Sequence, residues 1–405
     1  MKRIKPLAAI ALASGLVLGG CSLLTPREPV SAEPAVPPPP PPPQYSAPVA
    51  TFRFEIDPER DDVVGQVQVT VASKEDTLSD IARRFNIGYE EIVRANPGVD
   101  PWLPGAGREI VVPTQFILPD APREGVVINV AAMRIYYFPA NLVKGKKVAR
   151  QPGEPQVVYT HPIGIGKVGW RTPEGTTKVV SKQKDPIWHP PASVRKEHRE
   201  NGDPLPAVVP AGPDNPLGKF KFTLGWPSYL IHGTNKPYGV GLRSSHGCIR
   251  LYPEDIEKFF EMIPNGTAVR VVNQPFVFGW HEDQLYLQAY TVLEDDVRDW
   301  KKSQQKLMTK ALSARIQKEL KERGEQVDWE RVGAVAHDPR GLAVSVSNSE
   351  ASIAGLLAAA PRVENRIPEG ANWDGADDPA QQTEGDVKQM VSEQDQSAPK
   401  IKPRT

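Results

Sequence analysis

Glycine and proline divide the middle of this 405-residue chain into short runs, which constrains the fold more than any other feature. The runs between residues 126 and 273 are rich in residue types that favour strands. They are 126–129, 133–138, 157–163, 177–180, 229–231 and 268–272. Short strands separated by turn residues are typical of a sheet or a barrel-like β fold with few helices. The sequence therefore predicts a mainly β domain over 126–273, with a helix beginning at Pro253.

Residues 1–20 have the pattern of an export signal. Basic residues precede an apolar run over 7–18, which is too short for a stable membrane span. The run leads into Leu-Gly-Gly-Cys, ending at Cys21, which resembles a bacterial lipobox whose cysteine receives lipid after cleavage. The alternative is an ordinary signal peptide with a chance cysteine. Because Ser22 rather than aspartate follows, the resemblance to bacterial sorting rules implies an outer-membrane anchor facing the periplasm.

Residues 21–64 are predicted to be a lipid anchor followed by an extended linker. The unbroken prolines over 37–43 require polyproline II, at roughly 3.1 Å per residue. The periplasm is oxidising, yet the chain has only two cysteines, so an exported form that has used Cys21 cannot make an internal disulfide. The remaining thiol is Cys248.

Composition narrows the functional classes. The 49 lysines and arginines balance 49 aspartates and glutamates, which gives no support for nucleic-acid binding. Histidines and cysteines do not cluster with the spacing of metal ligands, so no metal and no cofactor are expected.

Residues 65–114 predict a small βααβ domain. Valines at 67, 69 and 71 alternate with polar residues, as in a half-buried strand. Asp76 and Thr77 offer a helix N-cap before an amphipathic stripe, a second short helix ends at Asn96, and 110–112 closes as a strand.

This order resembles a LysM domain, the module that holds glycans containing N-acetylglucosamine. The residues that carry the resemblance are 76–78, 81–82, 85, 96–97 and 103–105. Glu75 departs from the family pattern, in which many members have glycine. The alternative is a small packing domain that binds no glycan.

The segment that predicts chemistry joins His232 to Ser245-His246-Gly247-Cys248-Ile249-Arg250. A thiol attacks a carbonyl as thiolate, so it needs a base or a lowered pKa. His232 is the candidate base, since it ends an apolar strand and the glycine-rich loop 233–241 can bring it back against Cys248.

Neighbouring residues are candidates for supporting roles. Gly247 lets the backbone turn sharply, so that the amides of Gly247 and Cys248 can face a developing oxyanion. His246, Ser245 and Gly233 are expected to support this loop, and Arg250 can bind a substrate carboxylate. The alternatives are an inert buried cysteine, structural histidines and an Arg250 held in a structural ion pair.

The segment resembles the active site of the L,D-transpeptidases, whose catalytic domain is named YkuD. Their signature is a histidine, a loop, and then Ser/Thr-His-Gly-Cys. Similarity extends upstream through 162–166, 172–175 and 210–218, and the LysM-first order is similar to the periplasmic branch of Gram-negative bacteria. The resemblance covers roughly residues 65–273. Many members have asparagine where this chain has Arg250, a departure that is familiar in this branch.

The resemblance implies a reaction on peptidoglycan. Cys248 would attack the carbonyl of diaminopimelate in a tetrapeptide stem and release D-alanine, with His232 moving the proton. An amine would resolve the thioester, either from another stem, giving a 3–3 cross-link, or from the lysine of a Braun-type outer-membrane lipoprotein. Two alternatives remain open: the same machinery used as a carboxypeptidase or amidase, and a non-catalytic peptidoglycan-binding lipoprotein.

The end of the chain carries no further motif. Residues 274–323 predict added strands followed by a helix, because alternation around 285–290 gives way to a stretch rich in lysine, glutamine, glutamate, leucine and alanine. Residues 361–405 are polar and poor in aromatics, which predicts a disordered tail.

Overall fold

The computed structural model describes residues 44–143, 146–151, 153–347, 350–369, 371 and 373. The predicted export signal, Cys21, the proline run and the last part of the predicted tail lie outside these residues. No helix of the described ranges combines the length and the apolar character that a bilayer span requires.

Near the start of the described chain lies the small domain that the sequence predicts. Its elements are β3 (Gln68–Val71), α1 (Leu78–Arg84), α2 (Tyr89–Ala95) and β4 (Glu109–Val112). Two strands precede it, β1 (Arg53–Ile56) and β2 (Val63–Gly65), and β5 (Gln115–Ile117) follows it and pairs with β2. Strand β3 pairs antiparallel with β4 on either side of the two helices. Thr77 is the N-cap of α1: its side chain accepts the Asp80 amide, and Asp80 in turn accepts the Thr77 amide. The βααβ order is therefore confirmed.

The largest part of the structure is a mainly β domain. Its elements are β6 (Gly125–Asn129), β7 (Arg134–Phe138), β8 (Leu142–Val143), β9 (Lys146–Lys147), β10 (Gln156–Pro162), β11 (Ile165–Gly166), β12 (Gly175–Lys184), α3 (Ala192–Glu200), β13 (Phe220–Leu224), β14 (Leu230–His232), β15 (Arg243–Ser245), β16 (Ile249–Arg250), α4 (Pro253–Met262) and β17 (Ala268–Val272). Nine strands form one sheet in the order β1-β10-β7-β6-β17-β12-β13-β14-β16. All six runs predicted from the sequence are strands, and α4 begins at Pro253 as expected.

Strand β12 bends the sheet toward the residues of the candidate site. Its first half pairs with β17, and its second half pairs with β13 after an irregularity between Val179 and Ser181. A bulge of this kind kinks a strand and increases its twist. The strands that carry His232 and Arg250 follow this bend, at the end of the sheet.

The sheet is covered on both faces, and each face has its own core. Alternate residues of β6 and β7 point to opposite sides: Val126 and Ile128 pack with α4, while Val127 and Tyr136 pack with the LysM helices. The second cluster includes Leu78, Ile81 and Phe85 of the LysM domain, all buried. The LysM domain therefore shares a hydrophobic core with the large sheet.

The C-terminal part adds β18 (Phe276–His281), β19 (Gln284–Ala289), α5 (Trp300–Ala311), α6 (Ala314–Arg323), α7 (Trp329–His337), β20 (Ala343–Ser345) and α8 (Ile353–Ala359). The single helix expected to end the 274–323 segment is two helices. Ser313 separates them because its side chain caps α6 by accepting the Ile316 amide. The elements α7, β20 and α8 had no sequence prediction.

Two segments predicted to be unstructured belong to the fold. Residues 361–364 were expected to begin a disordered tail, but the Val69 amide donates to the Pro361 carbonyl and the Val363 amide donates to the Val69 carbonyl. Val363 is completely buried. The predicted linker likewise contributes β1, which pairs with β10 at the edge of the nine-stranded sheet. Backbone pairing and burial of a few apolar side chains outweigh the polar composition of these segments.

A buried ion pair joins the LysM domain to the sheet. Arg134 of β7 is fully buried and contacts both carboxylate oxygens of Glu91 on α2, at 2.9 and 3.0 Å. The guanidinium also lies over the ring of Phe116, 3.8 Å from its centroid. Breaking a buried pair leaves the remaining charge without compensation, which is costly.

We expect Arg134→Ala to lower the free energy of unfolding by about 3–5 kcal/mol, because Glu91 would remain buried without its partner. The matched control is Arg94→Ala. Arg94 lies on α2, the helix that carries Glu91, and its ion pair with Glu90 is partly exposed. This exposed pair should contribute at most about 1 kcal/mol. Urea denaturation of both variants measures the difference. An equal decrease in the free energy of unfolding for the two variants would contradict the larger contribution proposed for the buried pair.

Candidate active site

Strands β14 and β16 place His232 and Cys248 on one face of the sheet. They are parallel neighbours, with Ile231 opposite Ile249 and His232 opposite Arg250. Ile231 and Ile249 both belong to the main core. Because side chains alternate along a strand, His232 and Arg250 point away from that core, as does Cys248, one residue before the start of β16. The register thus sets the candidate base and nucleophile on adjacent strands, facing the same way.

His232 is held in one tautomer. Its Nδ1 lies 2.6 Å from the Gly233 carbonyl oxygen, which can only accept, so Nδ1 carries the proton and Nε2 keeps a lone pair. Burial, together with the charge of Arg250, lowers the pKa of His232 to about 3. The side chain is therefore a neutral imidazole at physiological pH. Gly233 supports it through its backbone carbonyl.

Cys248 is partly exposed and is the free cysteine of the described chain. Its thiol lies 3.7 Å from the carbonyl oxygen of Ser228, a residue with the unusual φ of +69°. Burial by surrounding protein raises the pKa of the thiol, while the Leu230 backbone and Arg250 act in the opposite direction. The resting pair is accordingly a neutral thiol and a neutral imidazole.

The turn before Cys248 is closed by Ser245. The Ser245 hydroxyl donates to the Cys248 carbonyl at 2.6 Å and accepts the Gly247 amide at 3.2 Å. Gly247 has φ +99°, and a Cβ there would stand 2.8 Å from the Tyr229 ring. The Gly247 amide, which the sequence predicts to face an oxyanion, donates to the Ser245 hydroxyl in this structure. In the described part of the chain the Cys248 amide donates to no acceptor.

His246 is tied to α3 and does not join the thiol. Its Nε2 lies 3.0 Å from Glu197, and Trp170 packs edge-on against its ring with centroids 4.9 Å apart. Glu197 also pairs with Lys167. Burial would raise the pKa of Glu197, but Lys167 and His246 hold it below the usual range. His246 therefore anchors the nucleophile turn to the helix that covers it.

Arg250 carries a positive charge that acts on both His232 and Cys248. It shares the face of His232, and its Nη1 donates to the Ser244 hydroxyl at 3.1 Å. Among the described residues no carboxylate pairs with it, and its buried Nε has no hydrogen-bond partner. Burial lowers its pKa, yet a guanidinium keeps its charge in proteins. A partly buried cation without a carboxylate partner, next to the candidate nucleophile, is suited to bind an anionic group.

The described residues contain no group of three or more histidine, cysteine, aspartate or glutamate side chains placed to hold a metal ion. The thiol of Cys248, the imidazole of His232 and the guanidinium of Arg250 are groups suited to nucleophilic acyl transfer.

The sequence predicts His232 and Cys248 as the reactive side chains, but it does not predict several residues that contact the nucleophile turn. Three residues from distant segments contact the nucleophile turn. Two of them, Trp170 and Glu197, contact His246, and the third, Ser228, contacts the Cys248 thiol. Glu197 lies on a polar helix that carries no motif. Thr172, which donates to the Gly247 carbonyl at 3.0 Å, falls in a string that carries the family resemblance, and this was its only signal.

Comparison with known protein families agrees with the two resemblances. A family model described as the L,D-transpeptidase catalytic domain, YkuD, matches residues 123–271, and a LysM domain model matches residues 71–113. The chain is 39% identical over 302 residues to "Probable L,D-transpeptidase ErfK/SrfK" of Salmonella typhimurium, covering 73% of this chain and 91% of the relative. It is 44% identical over 233 residues to "Probable L,D-transpeptidase YbiS" of Escherichia coli, covering 57% and 71%.

The neutral resting pair predicts the pH dependence of thiol alkylation. Because burial raises the pKa of Cys248, the thiolate fraction at neutral pH is lower than that of a free cysteine. The alkylation rate should rise with pH through a midpoint above about 8.5, with no second step between pH 4 and 8 from the already neutral His232. Iodoacetamide modification followed on the Cys248 peptide measures the profile. A midpoint below neutrality would instead show a thiolate–imidazolium pair at rest.

Proposed function

The chain belongs to the YkuD family of L,D-transpeptidases, and from this premise we propose that Cys248 catalyses acyl transfer on peptidoglycan stem peptides. The observation that carries the proposal is the shared face of Cys248, His232 and Arg250. A thiol, an imidazole with a free lone pair and a partly buried cation therefore lie at the same end of the sheet. A peptidoglycan-binding protein without catalysis would not need this arrangement.

The first half of the reaction follows from the resting protonation states. The Cys248 sulfur attacks the diaminopimelate carbonyl of a tetrapeptide stem, while His232 Nε2 takes the thiol proton. The tetrahedral intermediate then collapses: the bond to D-alanine breaks, and His232 returns the proton to the leaving amine. Because His232 is difficult to protonate alone, the imidazolium is stable only beside the developing negative charge, so proton transfer accompanies attack.

The Cys248 amide is the proposed oxyanion donor. The Gly247 amide is occupied by Ser245, which leaves the Cys248 N–H as the donor at the turn. Losing one such donor typically costs 10²–10³-fold in rate. Arg250 adds a positive charge on the same face and is proposed to bind the carboxylate of the donor stem.

In the second half of the reaction an amine attacks the thioester carbonyl, the bond to the Cys248 sulfur breaks, and His232 takes the amine proton and returns it to that sulfur. The acceptor is an amine of another stem, which gives a 3–3 cross-link, or the lysine of an outer-membrane lipoprotein.

The LysM domain is proposed to retain the enzyme on glycan strands, and lipidation of Cys21 is proposed to anchor it in the outer membrane, facing the periplasm.

Muropeptide analysis tests the proposal directly. The purified protein is incubated with disaccharide-tetrapeptide, with and without a lipoprotein bearing a C-terminal lysine, and the products are separated by mass. Cross-linked dimers or lipoprotein-linked stems support the transpeptidase. Tripeptide alone would reassign the same machinery to a carboxypeptidase, and unchanged substrate would favour a binding protein.

Substitution of the two reactive residues should separate nucleophile from base. Cys248→Ala is expected to abolish turnover, because the bond-forming atom is removed. His232→Ala should lower the acylation rate by about 10²–10⁴-fold, the usual range for loss of a general base. Intact-mass kinetics of thioester formation measures both, with circular dichroism as the folding control. Turnover by Cys248→Ala would refute the assignment.

Arg250→Gln should raise KM for disaccharide-tetrapeptide by about 10–100-fold, since a hydrogen bond to a charged group contributes about 1.5–3 kcal/mol. The control is Arg171→Gln, because Arg171 is exposed and pairs with Glu174, so KM should barely change. An unaltered KM in a less stable Arg250→Gln protein would assign Arg250 a structural role.

A further inference from the structure

The turn between the two LysM helices lies between the chain segments that flank Cys248. Gly88 of this turn, residues 85–88, and the first two residues of α2 contact the loop that leads to the nucleophile, at residues 240–241. The turn also contacts the segment that leaves the nucleophile, at residues 252–255. A glycan-binding module that served only for retention would not need to touch both sides of the catalytic cysteine.

On the upstream side, backbone hydrogen bonds join the two segments, and Tyr89 also packs in a buried cluster with Tyr238 and Leu242. The Tyr89 amide donates to the Val240 carbonyl at 3.2 Å, and the Glu90 amide donates to the Gly241 carbonyl at 3.3 Å. A Cβ on Gly88 would stand 2.7 Å from the Gly241 Cα. The two glycines therefore meet at a distance that leaves no room for a side chain.

On the downstream side, side chains make the contact. The Tyr252 hydroxyl donates to the Ile87 carbonyl at 3.1 Å, and the Asn86 amide nitrogen donates to Asp255 at 2.7 Å. Tyr252 and Asp255 stand two and five residues beyond Arg250, and both are buried.

The turn itself is held in an uncommon conformation. Asn86 has φ +55°, which persists in a non-glycine residue when its surroundings fix it. Its carbonyl accepts from Arg134 at 3.1 Å, and its side-chain oxygen lies 3.0 Å from His161 Nδ1. The Gly88 amide is fixed by Glu91 at 2.7 Å. These buried partners make the turn a rigid support.

The support reaches the thiol along the chain that follows Gly241. One residue, the buried Leu242, separates Gly241 from β15, whose last residue is Ser245. The Ser245 hydroxyl holds the Cys248 carbonyl at 2.6 Å. A displacement at Gly241 would therefore move Ser245, and with it the turn that presents the sulfur.

We propose that residues 85–88 of the LysM domain are a positioning element for the nucleophile turn, so that this domain sets the reactivity of Cys248 in addition to binding glycan. The inference rests on the proposed role of Cys248 as nucleophile. Displacements of about 1 Å at a reacting group can cost up to 10²-fold in rate.

The test is Gly88→Ala in the full chain, because the change is on the LysM side of the contact. Acylation of Cys248 by a carbapenem is measured by intact-mass spectrometry. We expect the maximal acylation rate to fall about tenfold, while the carbapenem concentration that gives half of this rate changes less than about twofold. General destabilisation would not produce this split. The control is Gly333→Ala on α7, where a Cβ meets nothing within 4 Å, and both constants should be unchanged.

Tyr252→Phe is the second variant and decides the question if Gly88→Ala does not fold. It removes the bond to Ile87 and keeps the ring, and about a threefold loss in maximal rate is expected. An unchanged rate in a folded Gly88→Ala, or in Tyr252→Phe when it is the deciding variant, overturns the proposal.

If a carbapenem does not acylate even the unmodified protein, the acyl-transfer proposal fails separately. The pH profile of iodoacetamide alkylation at Cys248 then decides. A midpoint displaced by half a unit or more in the deciding variant supports positioning, and an identical profile overturns it.

Discussion

The parallel pairing of β14 with β16 is the constraint on which the site depends. Ile231 and Ile249 lie opposite each other in the main core, so hydrophobic burial sets the register of the two strands. A slip of one residue would move every side chain to the other face, exchanging the isoleucines with His232 and Arg250. The same burial that stabilises the sheet therefore places imidazole, thiol and guanidinium on one face of it.

The LysM domain is part of this scaffold. It covers the second face of the sheet with a shared core, and the Arg134–Glu91 pair and the His161–Asp255–Asn86 cluster are buried at the junction. Segments from both ends of the described chain complete it, since Ser46 and Val69 both pair with residues 361–364. Its removal would expose apolar surface and buried charge, so point substitutions separate its functions better than deletion.

Local signals in the sequence were sufficient for most strands, and a local motif is also what nominates His232 and Cys248 as the candidate reactive residues. Alternating apolar residues, the Thr77 cap and Pro253 each act over a few positions, and the structure has the expected elements there. What could not be predicted depends on contacts that only the folded chain forms. Within the nucleophile turn, the Ser245 hydroxyl accepts the Gly247 amide. Over a longer distance, Glu197 contacts His246 from a helix 49 residues earlier in the chain.

Pairing also explains the two segments whose order was missed. Residues 53–56 and 361–364 lie in regions of polar, proline-containing composition, and only their partners β10 and β3 give them structure. The composition of a segment indicates how much apolar surface it can bury by itself. It does not indicate whether a strand elsewhere in the chain has a free edge with which the segment can pair.

The central claim is that the sulfur of residue 248 becomes covalently bonded to a peptidoglycan stem. Rapid acid quenching of the enzyme with disaccharide-tetrapeptide, followed by peptide mass spectrometry, tests it most directly. The account predicts an adduct on the peptide containing Cys248, with the mass of the stem less D-alanine. Turnover of the stem with no adduct there, or with an adduct on another residue, would contradict it.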